Sequence, residues 1–296
     1  MAMDRYFRFA IAAAAVCATV SPVAAQESSG QETIVVTGRQ KEEALERAKM
    51  FVNEVARTSN DQLARLKEPV CPAVSGMSEA SSTWLVERVR KVAEEIGPGA
   101  GSDKCVPNLV VIVTDDVAAT FRDIKEHRRR WLAGLTERQR SNLAKSTGPV
   151  IAWTATSLRN EDGQRASEAF GDGHGGSDFD KFSRTLRVNS ASFMRLTREQ
   201  AIDGSVILID RKALVDRATL QIADYVAVRG LIQGEPPESN ATETILRAFS
   251  PGGESGPDSI TPADYALVQA LYSTSGDRSA VHERARIAKK VAEFDY

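Results

Sequence analysis

The side chains that could do chemistry in this 296-residue chain are few and far apart. There are three histidines, His127, His174 and His282, and no pair has the His-x₃-His spacing that puts two ligands on one helix face. The stretch "GDGHGGSDFD" gathers Asp172, His174, Asp178 and Asp180 among glycines. Carboxylates of this kind suit calcium, but the D-x-[DN]-x-[DN]-G order of a calcium loop is missing, so a solvated loop is expected. There is no G-x-S-x-G elbow and no phosphate loop. The Gly-Gly of "SPGGESGPDS" lacks the strand before it and the helix after it that would aim backbone amides at an anion. Asp115 and Asp116 are adjacent and diverge on a helix; helix capping is the role that fits them. On these grounds no metal and no cofactor is expected.

One stretch has the rhythm of an active site without its donors. In "ADYVAVRGLIQ" the spacing H-E-x-x-H-x-x-G-x-x-H is filled by Ala223, Asp224, Ala227, Gly230 and Gln233. Zinc needs nitrogen, sulfur or carboxylate donors, and two alanine methyls supply none. Asp224 is a carboxylate, but with no metal-bound water it has nothing to activate. Taken alone, Ala–Ala–Gly at this spacing is also what a helix packed closely against a sheet would carry. The surroundings add to the match. "SVILID" (Ser205–Asp210) precedes it, "ETILRAFS" (Glu243–Ser250) follows it, and "ITPADYALVQALY" (Ile260–Tyr272) fits L-T-x-x-D-x-x-x-[IL]-x-x-L-Y. Together, roughly residues 108–272 resemble a zincin-like metallopeptidase domain that has lost its metal, and the chain is similar to an exported bacterial family of uncharacterised function. The resemblance implies an α+β fold with a mixed sheet and a central helix. In it, "SVILID" would be an edge strand and "ETILRAFS" would lie under the metal position. Because the decisive residues depart from the pattern, peptidase activity does not carry over; Ala223, Asp224, Ala227, Gly230 and Gln233 are a degenerate site.

The N-terminus "MAMDRYFRFAIAAAAVCATVSPVAAQES" has a basic start, an apolar run of small residues and small residues before Gln26. It predicts a secretory signal peptide over residues 1–25, cut after Ala25, with an uncleaved anchor as the alternative. The mature chain is then expected in the periplasm or the medium, with no transmembrane segment. Removing the leader removes Cys17 and leaves Cys71 and Cys105, expected to form a disulfide in an oxidising compartment; two buried free thiols are the alternative. With 42% apolar and 26% charged residues the composition is that of a globular protein, and a formal charge of −2 argues against nucleic-acid binding. The basic run "KEHRRRW" (Lys125–Trp131) reads as a solvated helix face.

These residues need elements to position them. After a linker over 26–32, one α+β domain is expected over 33–296, with an N-terminal portion (33–107) and a zincin-like portion (108–296). A strand is predicted at Thr33–Gly38, and an amphipathic helix over 40–57 with Ala44, Ala48, Phe51, Val52 and Val55 inward. "VCPAVSGM" reads as a turn. Leu85, Val89, Val92 and Ile96 mark a helix that Gly97-Pro98-Gly99 ends. Leu109–Val113 reads as a buried strand, followed by a helix capped by Thr114 or Asp115 and running to about Leu132. Pro149–Thr156, Arg184–Asn189 and Ser205–Asp210 read as strands, and 160–182 as a long loop. Helices are predicted over Ala218–Leu231, from a Thr261 cap with Pro262 at the first position and Asp264 three residues on, and over Ser279–Phe294. The function expected is an exported, non-catalytic zincin-like domain that binds a peptide or an envelope protein. A hydrolase with an unrecognised site and a purely structural envelope protein are the competing classes.

Overall fold

Apolar residues at helical spacing open the described part of the chain. The computed structural model describes residues 38–160, 163, 165, 167–168, 184–185, 196–250 and 256–294. The leader expected over 1–25, the linker expected over 26–32, the strand expected at Thr33–Gly38 except Gly38 (which is helical), the Asp172–Asp180 cluster, and most of the loop expected over 160–182 and of the strand expected at Arg184–Asn189 lie outside the described residues. Helix α1 (Gly38–Val55) buries Ala44, Ala48, Phe51, Val52 and Val55, the stripe its sequence marks. A two-residue strand β1 (Arg65–Leu66) follows, then β2 (Pro72–Ser75). The turn expected around Cys71 is therefore partly a strand. Its Pro72 needs no amide donor at a strand's first residue, and the turn comes later, at Gly76 with φ +84°. A Cβ at Gly76 would lie 2.0 Å from the carbonyl oxygen of Val113, so the turn there requires glycine.

Helix α2 (Glu79–Ile96) starts at Ser78, whose hydroxyl accepts from the Ser81 amide, and ends at Gly97. It delivers the chain to β3 (Leu109–Thr114). The next cap is Asp116, not Thr114 or Asp115, because its carboxylate reaches the Ala119 amide at 2.8 Å. Helix α3 (Val117–His127) is shorter than the expected helix, and a 3₁₀ turn over Arg129–Leu132 replaces its last turn. In that turn the Trp131 carbonyl accepts from the Trp153 indole at 2.7 Å. Helix α4 (Glu137–Ala144), with a Thr136–Gln139 capping box, leads to β4 (Val150–Asn160). Short strands β5 (Ser167–Glu168) and β6 (Arg184–Thr185) pair antiparallel. The long strand β7 (Arg198–Asp210) then leads through a 3₁₀ turn to α5 (Thr219–Leu231), and α6 (Pro262–Tyr272) and α7 (Ala280–Glu293) close the chain.

Among the described residues there are seven α-helices and a five-stranded sheet, a mixed α/β architecture. Strand β7 is its axis. It pairs parallel with β3 along Ser205–Asp210 and with β1 at Ala201–Ile202, and antiparallel with β4 along nearly its whole length. β2 pairs parallel with β3. "SVILID" is thus interior rather than an edge, and the antiparallel edge strand is β4. Being covered on both faces is why that run is continuously apolar. Val206 and Leu208 join Phe121, Ile124, Ile151 and Trp153 in a small cluster with α3. Ile207 and Ile209 enter the main core on the opposite face with residues of α1, α2, α5, α6 and α7. Phe121 meets Trp153 edge-on at 5.3 Å, an arrangement worth about 0.5–1.5 kcal/mol beyond area.

Cys71 and Cys105 form the disulfide, with Cα atoms 5.9 Å apart. It ties the start of β2 to the approach to β3, where the Cys71 amide also donates to the Asn108 side chain at 2.7 Å. No described helix is long and apolar enough to cross a membrane. Closing a loop with a sequence separation of 34 stabilises by about 3–4 kcal/mol in the chain-entropy model. The double variant Cys71→Ser, Cys105→Ser is expected to lose that much in urea denaturation, with near-native far-UV circular dichroism.

Candidate functional site

The residues of the degenerate pattern sit on or just after α5, which packs against α2, β7 and α6. Every residue from Gln221 to Leu231 is buried. Ala223 and Ala227 have no exposed surface and belong to the main core. Gly230 lies against β3: a Cβ there would come 2.3 Å from Leu109 Cδ1. Its carbonyl accepts from the buried Ser205 hydroxyl at 2.7 Å, so the glycine lets the helix seat directly on β3 and β7. Asp224 is fully buried and fully engaged. Arg88 of α2 grips it with two bonds, of 2.6 and 3.1 Å, and the Ile260 amide donates at 3.1 Å. The hydrogen bond to Asp224 holds the Arg88 guanidinium above the usual arginine range. Gln233 lies past the helix end, where its carbonyl accepts from the Arg57 amide at 2.8 Å.

The two downstream motifs are joined by one carboxylate. Asp264 accepts from the Thr244 hydroxyl at 2.5 Å, the Ile245 amide at 2.7 Å, and the Thr261 amide and hydroxyl at 3.1 and 2.9 Å. Burial pushes its carboxyl up from the ordinary range while these donors pull it down. So the aspartate expected only as part of a helix start also pins the 3₁₀ turn at Ile245–Phe249. Tyr272, at the other end of α6, donates to the Leu231 carbonyl at 2.7 Å and accepts from the Leu66 amide at 3.2 Å. Burial drives its hydroxyl well above the tyrosine range.

A cleft opens along the outer edge of β4. The Asp210 amide donates to the Pro149 carbonyl at 2.8 Å, which fixes the alternation of the ladder. Ile151 and Trp153 then bond toward β7, and Val150, Ala152 and Thr154 turn their amides and carbonyls outward. Two hollows, of about 450 and 300 Å³, follow this edge and share Arg57, Ala152, Arg229 and Glu235. The larger is floored by Tyr225, Leu246 and Phe249; the smaller is walled by Leu135, Leu143 and Trp153. Arg229, 8% exposed, donates to the outward carbonyl of Ala152 at 3.0 Å. Burial raises the Tyr225 hydroxyl, and the adjacent Arg229 opposes that rise. Arg57 pairs with Glu235 at 2.7 Å, with both side chains about half exposed.

The helix face turned to the cleft therefore carries Tyr225 and Arg229, not Ala223 and Ala227. With Glu235 they have the four- and ten-residue spacing of the three ligands, displaced two residues along the chain. A phenol, a guanidinium and a carboxylate make a polar, charged floor rather than a zinc donor set. Among the described residues no group of three or more histidine, cysteine, aspartate or glutamate side chains is placed to hold a metal ion. Sequence reasoning passed over Arg229, although a lone arginine inside the apolar run "YVAVRGL" was a signal, since arginine is almost never buried without a reason. Compared with protein-family models, curated proteins and solved structures, the chain matches none.

Two substitutions test this packing. Asp224→Ala leaves Arg88 half-buried without its partner and is expected to cost about 3–5 kcal/mol in chemical denaturation, against little for a solvated carboxylate. Gly230→Ala is expected to cost about 1–3 kcal/mol through its clash with Leu109. Combined with Leu109→Ala, the loss should be less than the sum of the two single losses.

Proposed function

We propose that this is an exported, non-catalytic domain of zincin-like build that binds an extended peptide in the cleft beside β4. One observation carries the reading: the outward amides and carbonyls of Val150, Ala152 and Thr154 face a cleft instead of another strand. A peptide laid there gains main-chain hydrogen bonds from an edge and side-chain contacts from the hollows on either side. An antiparallel edge strand next to the strand that feeds a buried central helix supports the zincin-like reading. So does the bonding of the "ETILRAFS" and "ITPAD" segments through Asp264. Alanine at positions 223 and 227, and the complete engagement of Asp224 by Arg88 and Ile260, support a binding role over a hydrolytic one. The leader sequence supports export.

Ala152→Pro is the direct test, because it removes an outward amide while leaving the ladder to β7 intact. The variant is expected to fold but to lose most of its peptide binding. In the parent chain, amide exchange at Val150, Ala152 and Thr154 should slow on peptide addition. Stoichiometric tightly held zinc in the purified chain, together with peptide cleavage, would sink the reading.

A further inference from the structure

The cleft holds a cation that no carboxylate among the described residues neutralises. Arg229 is buried, yet no carboxylate among the described residues lies within ion-pair distance of it; its one acceptor besides Tyr225 is the neutral Ala152 carbonyl. Taking a guanidinium out of water is costly unless an anion or several acceptors meet it. The other arginines of the cleft are better exposed: Arg57 has Glu235, Arg247 donates to the Ser239 carbonyl, and Arg284 to the Ala56 carbonyl. With Glu235 and Glu238 as the acidic residues of the same cleft, four arginines face two glutamates, and the excess is positive. A second polar atom is unmet nearby. Gln233 lines the smaller hollow, and its buried Oε1 has no donor among the described residues.

The length of the edge says what kind of chain fits. Beyond Thr154 the edge closes, because the Thr156 amide donates to the Ala133 carbonyl at 3.3 Å. Gly134 lies so close there that a Cβ on it would sit 2.3 Å from the Thr156 carbonyl oxygen. In the middle of the open part, Arg229 occupies the Ala152 carbonyl. An added strand has only two or three residues of edge before it meets the arginine and then a wall. A chain passing through would collide; a chain that ends there would not. The apolar wall of Leu135, Leu143 and Trp153 beside this point suits the last side chain of such a peptide.

We propose that Arg229 anchors the free C-terminal carboxylate of a bound peptide, whose apolar last side chain enters the hollow beside Trp153 and whose terminal amide donates to Gln233. This rests on the reading of the cleft as a peptide site and names its ligand. The guanidinium offers a fork of parallel donors that matches a carboxylate, and charge-assisted bonds of this kind are the strong ones.

The test uses the full chain and a pool of random heptapeptides ending in leucine, made once as free acids and once as C-terminal amides. Peptides retained on the immobilised chain are identified by mass spectrometry, and their affinities are measured by calorimetry. Free acids are expected to bind at least about tenfold more tightly than their amides. Arg229→Gln should bring that ratio close to one, and Arg229→Lys should retain part of it; circular dichroism checks whether each variant folds. Should Arg229→Gln not fold, the ratio in the Lys variant carries the decision, and a ratio as large as the parent's would overturn the forked anchor. Equal binding of acids and amides by the parent chain overturns the anchor while leaving the peptide cleft in place. Selection for internal aspartate or glutamate with no effect of amidation does the same. Failure of both pools to bind overturns the cleft reading as well.

Discussion

A helix buried along most of its length leaves its polar side chains little water to fall back on. Each must find a partner in the protein, and each partner then has a fixed place. In α5 the apolar majority sets the depth and three polar residues set the neighbours. Gln221 donates to the carbonyls of Gly256 and Pro257, Asp224 takes Arg88 and the Ile260 amide, and Arg229 reaches the edge of the sheet. These bonds hold the approach to α6, the helix α2 and the strand β4 around one central rod. Gly230 decides how close that rod lies to the sheet.

The C-terminal third works as a clamp on the same rod. Asp264 holds the 3₁₀ turn at Ile245–Phe249 to the start of α6, and Phe249 returns to meet the Tyr225 ring at 4.7 Å. Tyr272 links the end of α5 to β1. A buried pair between Arg65 and Glu283, at 2.5 Å, joins β1 to α7; burial pushes the Glu283 carboxyl up, and Arg65 opposes it. Such pairs contribute little net stability when intact but are costly to break, so they act more as locators than as glue.

Local elements were legible because their signals are local. The bounds of α5, the stripe of α1, the end of α2 at Gly97 and the Thr261–Asp264 capping box follow from residues a few positions apart. What failed was non-local. "SVILID" reads the same whether it is an edge or an interior strand; only its partners Leu109–Thr114 and Val150–Asn160, far away in sequence, decide. β2 is four residues long and starts with proline, too little for a pattern. α3 stops at His127, and the chain goes on as a 3₁₀ turn whose Trp131 carbonyl meets the Trp153 indole, a partner on β4 that the local pattern does not contain. At the site, the motif drew attention to Ala223 and Ala227. The rotation of α5 against the sheet, which turns Tyr225 and Arg229 to the cleft instead, is a packing outcome that spacing alone does not hold.

The position of β7 in the sheet has a consequence in time. Its partners β1, β3 and β4 all precede it in the chain, so as the polypeptide is made or threaded from its N-terminus, their shared axis arrives last. Before Arg198 emerges, the described strands with both members of a pair present are β2–β3 and β5–β6, and β4 has neither edge of the main sheet occupied. Pairings of such long sequence separation form slowly, and unpaired strands attract other chains meanwhile. The main sheet therefore lacks the strand that joins its parts until about two thirds of the chain is out. Until then the strands that await it keep unpaired edges, and that is the interval in which a holding chaperone is most useful.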